Sequence, residues 1–296
     1  MLYLLIVSLL WSFSFVIIKG KLTVLEPNLV SFLRLAFAFL MFLPFFKPKQ
    51  LSRSLFWQLL LIGAIQFGLM YCTYTAAFFY LPAYMLVLLT STTPLYVVLF
   101  DLLISRKSTL FFWLAAFAAV LGAWLLQYQK TALDFNWKGV LLIQISNLTF
   151  AAGQIYYRKL SAGKKDWDNK LSFSVVYLGA VCFTALVALF QCNWQNFTEI
   201  TFEQWSLLLY LGIVASGLCF FLWNVGATKV SAGSLALMNN MKIPLGVLVS
   251  IYFLNESCNW VLLIITLLIF MVSLILCEKA AEKNKIRSEN KETSKK

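Results

Sequence analysis

Ser231-Ala232-Gly233-Ser234-Leu235-Ala236-Leu237-Met238-Asn239-Asn240-Met241-Lys242-Ile243-Pro244-Leu245, running on to Glu256, decides how this chain is read. The flanking runs Ser234–Met238 and Leu245–Leu254 are nearly all apolar, so the stretch is long enough to cross a bilayer. Lys242 then sits near mid-membrane. At a rise of about 1.5 Å per residue it lies roughly 14 Å from either surface, beyond comfortable snorkelling reach. An ammonium at that depth costs about 2.5–3.5 kcal/mol on the more lenient insertion scale. Pro244 removes a backbone donor and predicts a kink that frees carbonyls near Asn240, so the helix is expected to be interrupted over Asn239–Pro244. A charge, two amides and a kink at this depth are what a solute site needs. The competing reading is a lysine satisfied by carbonyls of neighbouring helices.

The same device occurs earlier. Leu81-Pro82-Ala83 opens a second apolar run with Thr90-Ser91-Thr92-Thr93-Pro94 at its centre. Setting Pro94 on Pro244, an offset of 150, aligns residues 67–126 with 217–276 without a gap. Identities are few (Ala77/Ala227, Leu95/Leu245, Val97/Val247), and the polar-before-proline match carries more weight. Paired interrupted helices in corresponding halves point to a transporter built from repeats, with its site at the repeat interface.

Composition agrees with a membrane protein. Hydrophobic residues make up 61% and charged residues 12% of the 296 positions, and mean hydropathy is +0.82. A soluble domain carries about twice that charge, at roughly 25%. The net charge of +12 would indicate nucleic acid in a soluble protein, but here its distribution explains it and nucleic acid is excluded as a partner. The tail from Glu278 to Lys296 is charged and free of aromatics, and is expected to be a solvated or frayed extension. The six cysteines form no CxxC and there is no histidine, so neither a metal site, a cofactor nor histidine-based catalysis is expected. Met1–Ile18 lacks a basic n-region and an A-x-A-like cleavage site, and reads as a retained first span.

Ten hydrophobic segments follow, at 2–18, 29–46, 56–79, 82–103, 110–127, 139–157, 172–191, 206–227, 233–254 and 259–277. With the N-terminus inside, one set of connections holds Lys47, Lys49, Arg53, Arg106, Lys107, Arg158, Lys159, Lys164, Lys165, Lys170 and Lys229, plus the basic tail. The other set holds only Lys19, Lys21, Lys130 and Lys138, with Glu199, Glu203 and Glu256. The positive-inside rule then places both termini in the cytoplasm. Five spans per half is odd, so the halves must have opposite orientation. The expected fold is an all-α integral membrane protein of ten transmembrane helices in two inverted five-helix repeats, 2–128 and 139–277, followed by the charged tail 278–296.

At this point the chain resembles the drug/metabolite transporter superfamily, in its ten-span group of EamA-domain proteins. The resemblance rests on Trp11-Ser12-Phe13-Ser14…Lys19 in span one, Pro27…Phe32-Leu33-Arg34 in span two, and Leu81-Pro82-Ala83 leading to Thr93-Pro94. Phe150-Ala151…Arg158 echoes span one in span six, and Asn255-Glu256 follows the proline helix. Departures are Ser105-Arg106, where the family usually shows Gly-Glu, and Ser12, where glycine is common. Membership implies a secondary carrier of small metabolites in a cytoplasmic membrane, not an enzyme.

Several residues have bland readings of their own. Arg34 can snorkel or pair with Glu26, and Asp101 lies within helical reach of Arg106. Lys19 and Arg158 read as interfacial anchors. Gln144, Asn147 and Gln154 fall near one face of span six and each needs an interhelical partner or a wet cavity. The expected substrate site is Lys242 for a carboxylate, with Asn239, Asn240 and Thr92 as hydrogen-bonding groups. Tyr74, Trp11, Ser14, Gln154, Trp223 and Asn224 complete an amphipathic cavity. An amino acid or amino-acid derivative, S-adenosylmethionine included, fits a cation plus aromatics. The alternatives are a carrier of phosphorylated or sugar-nucleotide solutes and a non-transporting membrane protein. The partners are a small-molecule solute and the lipid bilayer, with a coupling ion or exchanged metabolite left open. No G-x-x-x-x-G-K-[ST] loop is present, so ATP is not expected to drive transport within this chain.

Overall fold

A computed structural model describes residues 1–22, 25–81, 83–106, 109–127, 136–192, 194–254 and 259–293. The side chains of residues 13–21 and of the tail from residue 284 lie outside the description, as does Asn255-Glu256. Among the described residues all regular structure is helical.

The helices are α1 (Leu2–Lys21), α2 (Pro27–Phe42), α3 (Arg53–Gly63), α4 (Met70–Ala77), α5 (Ala83–Thr90), α6 (Thr93–Phe100), α7 (Leu110–Gln127) and α8 (Trp137–Ser161). They continue with α9 (Asn169–Gln191), the single turn α10 (Gln195–Thr198), α11 (Phe202–Tyr210), α12 (Cys219–Ala227), α13 (Ala232–Leu254) and α14 (Trp260–Thr293). Polar side chains mark the starts. Glu26 accepts from Leu29 N ahead of Pro27, Asp168 accepts from Lys170 N and Leu171 N, and Thr201 with Gln204 forms a capping box.

α3 runs into α4, and α11 into α12, through wider π-type turns at Ala64–Leu69 and Leu211–Leu218. The offset of 150 that superposes the two prolines also lays the first of these turns over the second. Helix contacts show a related pattern. α1 packs on α12 and α13, while α8 packs on α4 and α6; α9 packs on α3, while α2 packs on Leu211–Leu218. The halves therefore interleave rather than sit side by side.

Among the described residues six segments are long and apolar enough to cross a membrane: Pro27–Phe45, Arg53–Ala77, Met85–Ile104, Asn169–Gln191, Phe202–Ala227 and Trp260–Lys283. Their outward faces carry large apolar side chains. On α7 these are Leu110, Phe111, Leu114, Phe117 and Leu121, and on α14 Val261, Ile264, Leu268, Met271 and Ile275. So continuous an apolar surface is stable against lipid and not against water. The protein is a multi-pass membrane protein.

Two expectations change. α13 is not interrupted: it continues through Pro244, because the missing N–H frees a single carbonyl and neighbouring helices hold the rest in place. The interruption expected in the first half is present: Ser91-Thr92 separates α5 from α6, and Pro94 occupies the first turn of α6, where its missing donor costs nothing. There the hydroxyls of Thr90, Ser91, Thr92 and Thr93 each donate to a carbonyl three or four residues earlier, stabilising the turn. The charged tail from Glu278 does not fray at once but prolongs α14 to Thr293. Its first carboxylate accepts a hydrogen bond from Ser234, which ties the end of α14 to the start of α13.

Candidate functional site

Midway along the helices lies a cavity that opens outward and is lined by aromatic, hydroxyl-bearing and cationic side chains. Helical spacing selects its walls. α4 supplies Met70, Tyr71 and Tyr74, and α8 supplies Ser146, Asn147 and Phe150 at the same spacing of one and four. Trp11 comes from α1, Arg34 from α2, Thr90 and Thr93 from the α5–α6 break, Phe220 from α12 and Lys242 from α13.

Lys242 is half-buried, with Nζ 5.7 Å from the Trp11 ring centroid. No carbonyl or carboxylate accepts from it among the described residues, so the lysine is not spent on neighbouring backbone. Trp11 is fixed from the other side: its Nε1 donates to Ala215 O at 2.9 Å and its ring lies 5.1 Å from Phe220 and 5.0 Å from Trp223. The second cation is Arg34, whose guanidinium carbon lies 4.8 Å from the Tyr71 ring centroid and whose Nε donates to Ser216 Oγ at 3.3 Å. Among the described residues no aspartate or glutamate lines the cavity. Two cations without a carboxylate among aromatic walls favour an anion with an apolar body.

Below this chamber, towards the starts of α1 and α13, lies a sealed polar layer. Trp223 Nε1 donates to Gln154 Oε1 at 2.8 Å, and Gln66 Nε2 donates to Asn224 Oδ1 at 3.2 Å. All four residues are fully buried. Gln66 fits only because residue 153 is glycine: a Cβ there would stand 2.2 Å from that of Gln66. A parallel set of bonds secures the α5–α6 break. Gln144 Oε1 accepts from Thr92 Oγ1 and Tyr96 OH, and Asn147 Nδ2 donates to Leu89 O and Thr92 Oγ1.

The expected site residues thus divide. Lys242, Trp11 and Tyr74 line the cavity together. Gln154, Trp223 and Asn224 form the layer that closes it. Thr92 braces the break beside Thr90 and Thr93. Asn239 turns back to Leu235 O on its own helix. Asn240 donates to Ser91 O and Ala119 O, stapling α13 to the broken helix and to α7. The Ser14 side chain lies outside the described residues.

Arg34 is the residue that sequence reasoning undervalued. Glu26, its expected partner, instead caps α2 and accepts from Cys192 Sγ. The usable signal was depth: Arg34 stands two turns into α2, too far for its head to reach an interface unstrained. Asp101 likewise pairs with Arg158 of α8, at 3.6 Å, rather than with Arg106, which is exposed and ends the π-type turn Asp101–Ser105 in a left-handed conformation.

The EamA-like transporter family matches the chain twice, over residues 1–128 and 137–277. The biotin transporter of Escherichia coli (strain K12) is 35% identical over 273 residues, spanning 92% of this chain and 90% of that protein. The biotin transporter of Salmonella typhimurium (strain LT2) is 36% identical over 259 residues, 87% of this chain and 86% of that one. A probable biotin transporter of Pseudomonas aeruginosa is 34% identical over 259 residues, 87% and 90% of the two chains. One crystal structure superposes with a TM-score of 0.74 over 95% of this chain and 96% of that one, at 14% identity, which bears on the fold alone.

Proposed function

We propose that this chain, which belongs to the EamA-like transporter family, carries biotin or a closely similar carboxylate across a cytoplasmic membrane by alternating access. The observation that carries the reading is the acid-free cavity with Lys242 and Arg34 in its walls. Biotin matches that chemistry: a carboxylate on an alkyl chain, a compact apolar ring, and a neutral urea. Lys242 neutralises the carboxylate, and Trp11, Tyr74, Phe150 and Phe220 enclose the apolar part. The names of the relatives point the same way.

An amino acid is the poorer fit. Its ammonium would face two cations with no carboxylate to receive it, and S-adenosylmethionine adds a sulfonium. A phosphorylated solute would suit the charges, yet five aromatic side chains serve an apolar body better than a sugar phosphate. Purified protein in liposomes should therefore take up labelled biotin in a saturable way. Excess unlabelled biotin should abolish the signal while methionine and S-adenosylmethionine leave it intact. Equal competition by methionine would reverse the assignment.

The proposed architecture is ten spans in two inverted repeats, 2–128 and 139–277, with both termini and the tail 278–296 in the cytoplasm. The family match to each half, the corresponding π-type turns and the exchanged contacts between halves support it. The buried layer of Gln66, Gln154, Trp223 and Asn224 then lies on the cytoplasmic side and closes the chamber there. A cysteine placed at Ser161 should react with a membrane-impermeant reagent only after the cells are opened. Strong labelling from outside contradicts the orientation.

A further inference from the structure

Arg34 uses little of its hydrogen-bonding capacity on the protein. Nε donates to Ser216 Oγ, one face of the guanidinium lies on Tyr71, and the Tyr71 hydroxyl shares the Ser216 Oγ at 2.9 Å. The two terminal nitrogens donate to none of the described residues, although the side chain is only 7% exposed. A guanidinium held by its inner end and face, with its outer fork left over, is built to receive something.

That fork is not on the wall that carries Lys242. Lys242 enters from α13, which packs on α1, α6, α7 and α14; Arg34 enters from α2, which packs on α4, α9 and Leu211–Leu218. Between them run Trp11, Phe220 and Tyr71, with ring centroids 5.1 Å and 6.0 Å apart. Thr90 and Thr93 add hydroxyls whose protons are committed to Leu86 O and Thr90 O, so that only their lone pairs remain for a solute N–H.

We propose that Arg34 is a specificity-determining residue that receives the neutral carbonyl end of the solute while Lys242 receives its carboxylate. The cavity thereby selects molecules with a carboxylate at one end and a urea or amide at the other. This rests on the reading of the chamber as a biotin-type site and assigns the two ends within it.

Direct titration of purified wild-type and variant protein with two ligands tests the division: biotin, and the same thiolane-pentanoic acid without the urea. Arg34→Met should weaken biotin about 10- to 100-fold, the effect of losing a hydrogen bond to a charged group, and leave the urea-free acid unchanged. Lys242→Met should weaken both. Ser216→Ala, which keeps the charge but frees Nε, should weaken biotin alone by several-fold and carries the test if Arg34→Met does not fold. Equal loss of both ligands on changing Arg34 or Ser216 would place Arg34 on the carboxylate and overturn the proposal, as would no loss of either. Wild-type protein that binds neither ligand would overturn the biotin reading itself.

Discussion

Lys242→Met should lower biotin affinity about 100-fold, the upper end of what losing a charge-assisted hydrogen bond costs. The variant should nevertheless fold and insert at least as well as the wild type, because a mid-bilayer charge costing about 2.5–3.5 kcal/mol has gone. What the protein itself loses is the contact of Nζ with Trp11 at 5.7 Å, since no carbonyl accepts from Lys242 among the described residues. Lys242→Arg should be impaired as well, because a planar fork does not reproduce a compact point charge on a flexible stem. Binding and melting temperature measured on the same samples separate ligand recognition from structure. A Lys242→Met protein that melts early and binds normally would make the lysine a packing residue.

Gly63→Val or Gly179→Val should remove most of the folded protein. At this crossing α3 and α9 meet through bare backbone: a Cβ on residue 63 would stand 1.7 Å from Val176 O, and one on residue 179 would stand 2.0 Å from Leu60 O. Neither carbonyl can turn aside without breaking its helix, so the cost exceeds the usual 1–3 kcal/mol, roughly, of overpacking a core. Detergent-solubilised yield and melting temperature are the readouts. Gly246→Ala is the control, since its nearest neighbour would be Ser12 Cβ at 3.8 Å, and it should fold as well as the wild type or better. Equal behaviour of Gly63→Val and Gly246→Ala would mean that α3 and α9 do not meet this closely.

Some of this is legible from residues alone and some is not. The apolar segments and the paired Pro94 and Pro244 lead to an all-helical membrane fold and to the family, because both depend on local composition and spacing. Depth in a span also singles out Lys242, and helical spacing places Tyr74 beside Tyr71 on the cavity face. Spacing does not say which neighbour a polar side chain meets. Asn239 and Asn240 are adjacent, so they point to different sides of α13. One reaches Leu235 O and the other a pair of carbonyls on α5–α6 and α7, a choice made by packing. Gln154 and Asn224 meet Trp223 and Gln66 rather than a solute, while Gln154 Nε2 and Gln66 Oε1 keep no hydrogen-bond partner among the described residues. The two prolines differ for a similar reason. A proline in a first turn starts a helix, whereas one in mid-helix is tolerated when neighbours hold the backbone, and only the fold distinguishes these cases.

The central claim is that the acid-free, two-cation cavity holds a carboxylate with a neutral remainder. Thermal stability of the purified protein, followed with biotin, biotin methyl ester and methionine, tests it most directly. Biotin should raise the melting temperature in a saturable way, and Lys242→Met should abolish the rise, while the uncharged ester and the zwitterion leave the wild type unmoved. Stabilisation by the ester as large as that by biotin, or by methionine in place of biotin, would contradict the account.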